Sequence, residues 1–209
     1  MISIIIADDH AVVREGLKRI LLEEYSFALI EEVKDTEELI SAAMKGNWDM
    51  VICDLSMPGR SGLDALHQIK KIFPKLPVLI LSIHPEEEYA VRALKAGAAG
   101  YLTKNVAPKE LISAVQKVLN GKIFISQSFA EKLATDIAQE SGKAPHEILS
   151  DREFDVLKLI SSGKSVSEIA EQLSLGITTI STYRVRILKK MRMKTNADLM
   201  RYALDNRLI

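Results

Sequence analysis

One cysteine, Cys53, is all that this 209-residue chain contains. A lone thiol excludes an intramolecular disulfide and any multi-cysteine metal site. Its position inside an apolar run gives it the expected role of an inert core side chain. Long hydrophobic runs are missing as well, since no apolar stretch approaches the ~20 residues needed to span a bilayer. The N-terminal MISIIIADDH has no basic segment and meets acid after seven residues, so it does not read as a secretion signal. A soluble, cytosolic protein without a membrane partner is expected. Internal repeats and low-complexity tracts are also absent from the sequence.

Net charge is lacking too, with 28 basic residues against 28 acidic. The balance hides an asymmetry. Residues 150–209 hold 11 Lys+Arg against 7 Asp+Glu, a net of +4, which leaves 17 against 21, a net of −4, for residues 1–149. An acidic part and a part tolerant of nucleic acid are the implied halves. The length suits one or two domains of ~100–150 residues each, and an apolar share of 47% is enough for each to bury a core.

Residues 1–118 alternate between two textures. Short apolar or β-branched runs occur at Ile2–Ala7, Phe27–Val33, Met50–Cys53, Val78–Leu81 and Gly100–Leu102. Helix-period stretches lie after them at Val12–Leu22, Thr36–Lys45, Leu63–Phe73, Glu86–Ala96 and Pro108–Asn120. The alternation predicts an α/β domain with a parallel sheet. The runs IIIA and VLIL are too continuously apolar for a sheet wet on one face, so helices should cover both. Residues 121–146 change character. Ser126 is a predicted N-cap for a helix FAEKLATDIAQE, which Gly142 and Pro145 then break. This segment reads as a linker carrying one helix, followed by wholly helical texture from Glu147, in segments 151–161, 166–173, 177–192 and 196–205.

Chemistry gathers at the strand ends. Ligands of open parallel sheets bind at the carboxyl ends of strands. There the sequence places Asp8 and Asp9 after the first strand, Asp54 after the third, Ser82 after the fourth and Lys104 after the fifth. Taken singly, an Asp doublet is often a turn or a helix cap, and a loop Lys is usually solvated; their concurrence at one edge is the specific signal. Crowded carboxylates call for a hard cation, and Mg²⁺ binds through one or two carboxylates, waters and phosphate oxygens. Asp9 and Asp54 are expected as direct ligands, the Ser56 carbonyl as a third and Asp8 through water. Asp54 is the candidate nucleophile, left open by the loop MPGRSG and able to form an aspartyl phosphate. Lys104 would neutralise phosphoryl oxygens and Ser82 would donate a hydrogen bond to one.

The segments MISIIIADDH, VICDLSMPGRSGLD, VLILS and AGAAGYLTK resemble the receiver domain of two-component response regulators over residues 1–120. The resemblance implies a CheY-like, flavodoxin-like fold with strand order 2-1-3-4-5, phosphorylation of Asp54 by a sensor histidine kinase, and dependence on Mg²⁺. It also casts Ser82 and Tyr101 as a coupled switch pair; simple packing at the strand edge is the alternative for Tyr101. Two departures stand out: Asn105 where many receivers have Pro after the Lys, and Ile83 where small residues are common. The bulk of Ile83 is expected to narrow access to the phosphoryl group.

The last part carries a second signature. Ser150 with Glu153 three residues on forms a capping box, Ser161–Gly163 ends one helix, and Ser174–Gly176 makes a short break before a longer one. That longer helix has Ile180, Tyr183, Ile187, Leu188 and Met191 on its apolar face. Thr179, Ser181, Thr182, Val185, Arg186 and Lys189 lie opposite. Small hydroxyl and apolar groups fit base edges and thymine methyls, while Arg and Lys reach phosphates or guanine; a merely solvated face is the bland alternative. Residues 147–209 resemble the LuxR-type helix-turn-helix output domain of NarL/FixJ-like regulators, with Gly176 where that family offers Ser or Thr as cap. The resemblance puts Ser181, Thr182 and Val185 at base-reading positions, and Arg186 and Lys189 on the backbone of double-stranded DNA. It also implies a homodimer contact on the final helix, Ala197–Leu204. The whole reads as a transcription regulator and not an enzyme. Its rivals are a DNA-binding regulator indifferent to phosphorylation and an Asp-nucleophile phosphohydrolase. The second is disfavoured because Ser56 stands where the haloacid-dehalogenase type needs a second Asp.

Overall fold

A computed structural model describes residues 1–57, 62–138 and 144–209. It divides into two compact units, Met1–Leu133 and Ala134–Ile209. The first alternates β1 (Ser3–Ala7), α1 (Ala11–Glu24), β2 (Leu29–Val33), α2 (Thr36–Lys45), β3 (Met50–Asp54), α3 (Gly62–Ile72), β4 (Val78–Ser82), α4 (Glu86–Lys95), β5 (Gly100–Thr103) and α5 (Pro108–Leu119). The helix α6 (Gln127–Ala138) follows, and the Ser126 hydroxyl accepts from the Phe129 amide at 3.1 Å as its cap. All strand pairs are parallel, in the order β2-β1-β3-β4-β5, the topology that the sequence led us to expect.

Alternation along the central strands sorts side chains between two helical layers. Ile4, Ile6, Met50, Ile52, Leu79 and Leu81 pack with Leu17 and Leu21 of α1 and with Leu111, Val115 and Val118 of α5. Ile5, Val51, Cys53 and Ile80 are equally buried, with the opposite parity along their strands. Cys53 is fully buried, and burial lifts its thiol far above the ordinary range, as an inert core group requires. The edge strand departs from expectation. It begins at Leu29, two residues later than the apolar texture predicts, because the Ala28 amide closes a turn on the Tyr25 carbonyl at 2.9 Å. Phe27 in that turn is 84% exposed.

The register delivers chemistry to one edge. β1, β3, β4 and β5 all end at the same rim, so Asp8, Asp54, Ser82 and Lys104 meet there. Gly62 opens α3 directly against β3: a Cβ at this position would overlap the Asp54 carbonyl oxygen. Only glycine allows the helix to start so close beneath the acid. Of the loop MPGRSG, residues 58–61 lie outside the described residues, as do 139–143, which include Gly142.

The second unit begins within α6 and continues with a 3-10 turn, Pro145–Ile148, absent from the sequence reading. Then come α7 (Asp151–Ser161), α8 (Val166–Gln172), α9 (Ile177–Met191) and α10 (Asn196–Asp205). Capping boxes at Ser150, Ser165 and Thr195 start α7, α8 and α10. The turn from α8 to α9 is made by Ser174 in the left-handed region, φ 52°. It is closed by the Leu175 amide on the Ala170 carbonyl at 2.9 Å. A left-handed residue bearing a Cβ costs about 1–2 kcal/mol. Ser174→Gly is therefore expected to stabilise this unit by about 0.5–1 kcal/mol after the extra chain entropy of glycine. A raised urea midpoint checks this; a lowered one contradicts it.

Candidate phosphoacceptor pocket and DNA-facing helix

Lys104 is the hinge of the acidic pocket. Its Nζ lies 2.6 Å from Asp8 Oδ2 and 2.8 Å from Asp54 Oδ2. Its amide donates to the Ser82 carbonyl at 2.7 Å, which fixes the β5–α5 turn on the end of β4. The peptide that follows, to Asn105, is trans, there being no cis bond among the described residues. Asp8 is 1% exposed and Asp54 2% exposed, so the ammonium holds two carboxylates that water scarcely reaches. The contact with Asp8 is an ion pair rather than an aligned hydrogen bond, whereas that with Asp54 is both. Burial pushes the Asp54 carboxyl above its usual range, against the pull of Lys104 and the Ser56 amide. Burial alone would lower the Lys104 amine, but its pairing with Asp54 and Asp8 leaves it raised. Sequence reasoning left Asp54 open to solvent. The structure corrects this: the carboxylate sits under the rim, anchored to Lys104.

Asp9 is part-exposed and its Oδ1 lies 2.7 Å from His10 Nδ1. Asp8, Asp9, His10 and Asp54 bring one ligand atom each within 4.8 Å of one another. Asp54 Oδ1 is buried and has no hydrogen-bond partner among the described residues. An ionised oxygen in that state is costly unless a cation or an electrophile completes it. The donor set therefore fits a divalent metal. Arg14 donates from Nη1 to the Asp8 carbonyl at 2.7 Å.

The switch candidates converge on a residue that the sequence reading passed over. The His84 amide donates to Ser82 Oγ at 3.1 Å, and Tyr101 donates its hydroxyl to the His84 carbonyl at 3.0 Å. His84 Nε2 lies 3.1 Å from the Ser56 hydroxyl. Tyr101 is fully buried, which raises its phenol well above the ordinary range, with Ser82 pulling the other way. Ser82 Oγ is thus engaged by the backbone of the β4–α4 turn. Ile83, expected to crowd the pocket, is 70% exposed; the ring that reaches Ser56 is that of His84.

In the second unit α9 is amphipathic in fact. Ile180, Ile187 and Met191 are buried, whereas Thr179, Ser181, Thr182, Val185, Arg186 and Lys189 are all exposed. The Thr182 hydroxyl donates back to the Thr178 carbonyl at 2.9 Å, which sets its rotamer and leaves its acceptor lone pairs outward. Thr178, Thr179, Thr182, Tyr183 and Arg186 line a shallow recess of about 260 Å³. Two further basic residues of α9 tie it to the rest of the unit: Arg184 donates to Asn196 at 2.7 Å and Lys190 to Glu153 at 2.6 Å.

Comparison with known proteins resolves what these two units are. The family of response regulator receiver domains matches residues 4–116, and the luxR family of bacterial regulatory proteins matches residues 147–203. The response regulator UvrY of Escherichia coli is 33% identical over 209 residues, covering 100% of this chain and 96% of UvrY. The chain belongs to the NarL/FixJ family of response regulators. The oxygen regulatory protein NreC of Staphylococcus carnosus is 36% identical over 214 residues, covering 99% of both chains. Among solved structures, RcsB from Salmonella enterica serovar Typhimurium, bound to promoter rprA with the phosphomimetic BeF3⁻, covers 97% of this chain and 98% of its own. It does so at 28% identity and a TM-score of 0.66. A structure of two RcsB dimers on two parallel DNAs aligns at 29% identity, with a TM-score of 0.60, over 96% and 97% of the chains.

As a response regulator transcription factor, the protein pairs a receiver whose acidic cluster could bind a metal with a helix-turn-helix unit. No helix among the described residues is long and apolar enough to cross a membrane. Sequence reasoning missed two site residues. His10 stands beside the Asp doublet in the motif and could have been found from that adjacency. His84 acts largely through its backbone, which leaves no mark in the sequence.

Proposed function

We propose that Asp54 accepts a phosphoryl group from a sensor histidine kinase and that this modification controls binding of double-stranded DNA by α9. The carrying observation is the unpartnered, buried Asp54 Oδ1 beside the ammonium of Lys104 and the acids Asp8 and Asp9. An Asp54 oxygen attacks phosphorus; the P–O bond of the acyl phosphate forms as the P–N bond to the kinase histidine breaks, and the imidazole takes up a proton. Lys104 screens the charge of the transferred group. Mg²⁺ is the cation we assign to Asp8, Asp9, Asp54 and the Ser56 carbonyl, where it would neutralise carboxylate and phosphoryl oxygens together. Removal of Mg²⁺ by EDTA should stop incorporation of phosphate from acetyl phosphate.

The switch reading follows from the hydrogen bonds at His84. A Ser82 hydroxyl that turned to a phosphoryl oxygen and left the His84 amide would disturb the Tyr101 anchor on the same residue. Phosphorylation shifts the equilibrium by the difference in energy between the two arrangements. In this reading residues 1–120 are the receiver, 121–146 a linker and 147–209 the output domain, working in the cytoplasm where the DNA is.

On DNA, Ser181, Thr182 and Val185 read bases, while Thr179, Arg186 and Lys189 hold the backbone. Val185 at 60% exposure offers an apolar group for a thymine methyl. Homodimerisation through α10, where Leu204 is 58% exposed, would pair half-sites. Lys189→Ala should weaken binding to every duplex alike and reduce the salt slope by about 0.9, whereas Val185→Ser should change site preference. Titrations at several salt concentrations check both. Undiminished affinity of the Lys189 variant contradicts the assignment.

A further inference from the structure

After α5 the chain runs along the outer edge of β5. Phe124 pairs with Gly100 in an isolated parallel bridge. Its amide donates to the Ala99 carbonyl at 2.9 Å, and its carbonyl accepts from the Tyr101 amide at 3.1 Å. So close an approach needs glycine, because a Cβ on Gly100 would meet the Phe124 carbonyl oxygen at 2.7 Å. The Phe124 side chain is buried in the same core cluster as α1 and α5. Two residues on, the Ser126 amide donates to Glu86 Oε1 at 2.9 Å, while the Ser126 hydroxyl caps α6. Glu86 is the first residue of α4.

We propose that the Glu86–Ser126 hydrogen bond is a clasp through which the state of the phosphoacceptor pocket sets the start of α6, with Glu86 as its positioning residue. This rests on the reading that phosphorylation of Asp54 controls DNA binding. The boundary between the two compact units falls inside α6, so this helix belongs to the covalent route from receiver to output domain.

Short links join the clasp to the switch candidates. Ser82 Oγ accepts from the His84 amide, and the Tyr101 hydroxyl donates to the His84 carbonyl. Tyr101 thus holds the β4–α4 turn with its side chain and Phe124 with its backbone. Pro85 alone separates His84 from Glu86. Its ring fixes its φ, here −58°, so a displacement of His84 reaches Glu86 with little slack. A hydrogen bond of this length is lost within a shift of about 1 Å. Once the clasp opens, the bridge at Phe124 still holds the strand edge, and the freedom gained is confined to Ser126 and the first turn of α6.

The test uses the full-length protein and two readouts, amide hydrogen exchange at Ser126 by NMR and duplex affinity, each with and without acetyl phosphate and Mg²⁺. In the wild type the donor should speed exchange at Ser126 by about tenfold, the scale of one charge-assisted hydrogen bond. Glu86→Ala should show that faster exchange without the donor. Its duplex affinity should respond to the donor by less than about threefold, against about tenfold in the wild type, while Asp54 is labelled at the wild-type rate. Glu86→Gln keeps an accepting oxygen and should restore most of both responses. The ratio of affinities with and without donor is the readout that a merely structural loss in α4 would not move. A full donor response in Glu86→Ala, or a glutamine variant no better than alanine, overturns the proposal. If fully labelled wild type binds the duplex unchanged, the reading of phosphorylation control fails instead, and exchange decides the clasp. Donor-dependent exchange at Ser126 then supports it, and donor-independent exchange overturns it.

Discussion

With Lys104 replaced by methionine, the metal-free protein is expected to lose about 3–5 kcal/mol of stability at pH 7, the usual cost of breaking a buried ion pair from one side. Asp8 and Asp54 are 1% and 2% exposed, and the ammonium is the cation that contacts both. Methionine fills the space of the lysine stem but leaves two crowded carboxylates without a counter-charge. Asp54→Asn should do the reverse. A carboxyl whose folded value lies above its unfolded one binds its proton more readily when folded. Stability therefore falls as pH rises between the two values, and at pH 7 the ionised form is a net cost. Asparagine removes that cost, so this variant should be at least as stable as the wild type. Urea unfolding without divalent ions compares the three proteins. Added Mg²⁺ should narrow the Lys104→Met deficit, because a cation replaces the missing charge. A Lys104→Met loss below about 1 kcal/mol, the scale of a surface pair, contradicts this picture.

Glu153→Ala is expected to cost the output domain about 2–4 kcal/mol. Glu153 is 3% exposed, and its Oε2 accepts from the Ser150 amide at 2.8 Å and from Lys190 at 2.6 Å. It therefore caps α7 and ties α9 to it at once. Burial works to raise its carboxyl, but Lys190 and Ser150 outweigh burial and hold it below the ordinary range. A depressed carboxyl gives stability that is present above its unfolded value and is lost as pH falls through its folded one. The contribution should accordingly be full at neutral pH and vanish in acid. Lys190→Ala should cost less, about 1 kcal/mol, since its partner keeps the Ser150 bonds and the lysine is 41% exposed. A reversed order of the two variants contradicts the assignment. The pair also bears on function: DNA binding lost in a Lys190 variant reports a loosened α9 rather than a missing phosphate contact.

How legible all this was depended on range. Strands β1, β3 and β4 announce themselves as continuous apolar runs because helices cover both sheet faces. The acids and hydroxyl at their ends were legible for the same reason. The edge strand LIEEV has no such run, and a local turn at Tyr25–Ala28 set its start instead of the nearby Phe27. Pro145–Ile148 is too short to show a period. The roles of the other cations of α9 were not legible: Lys190 belongs to Glu153, 37 residues away, and Arg184 to Asn196, pairings that only the packed helices create. The burial of Asp54 escaped notice because a glycine-containing loop beside it implied openness, whereas Lys104, 50 residues on, closes over it.

Coupling between the two units is the central claim, and one binding experiment addresses it most directly. Duplex DNA selected by the protein from genomic fragments is titrated by fluorescence anisotropy against wild type and Asp54→Asn, each with and without acetyl phosphate and Mg²⁺. The account predicts that the donor changes wild-type affinity by about tenfold, within the ordinary range of coupling between sites, and leaves Asp54→Asn unmoved. Wild-type protein that carries stoichiometric phosphate yet binds the duplex unchanged, or an equal response from both proteins, would contradict it.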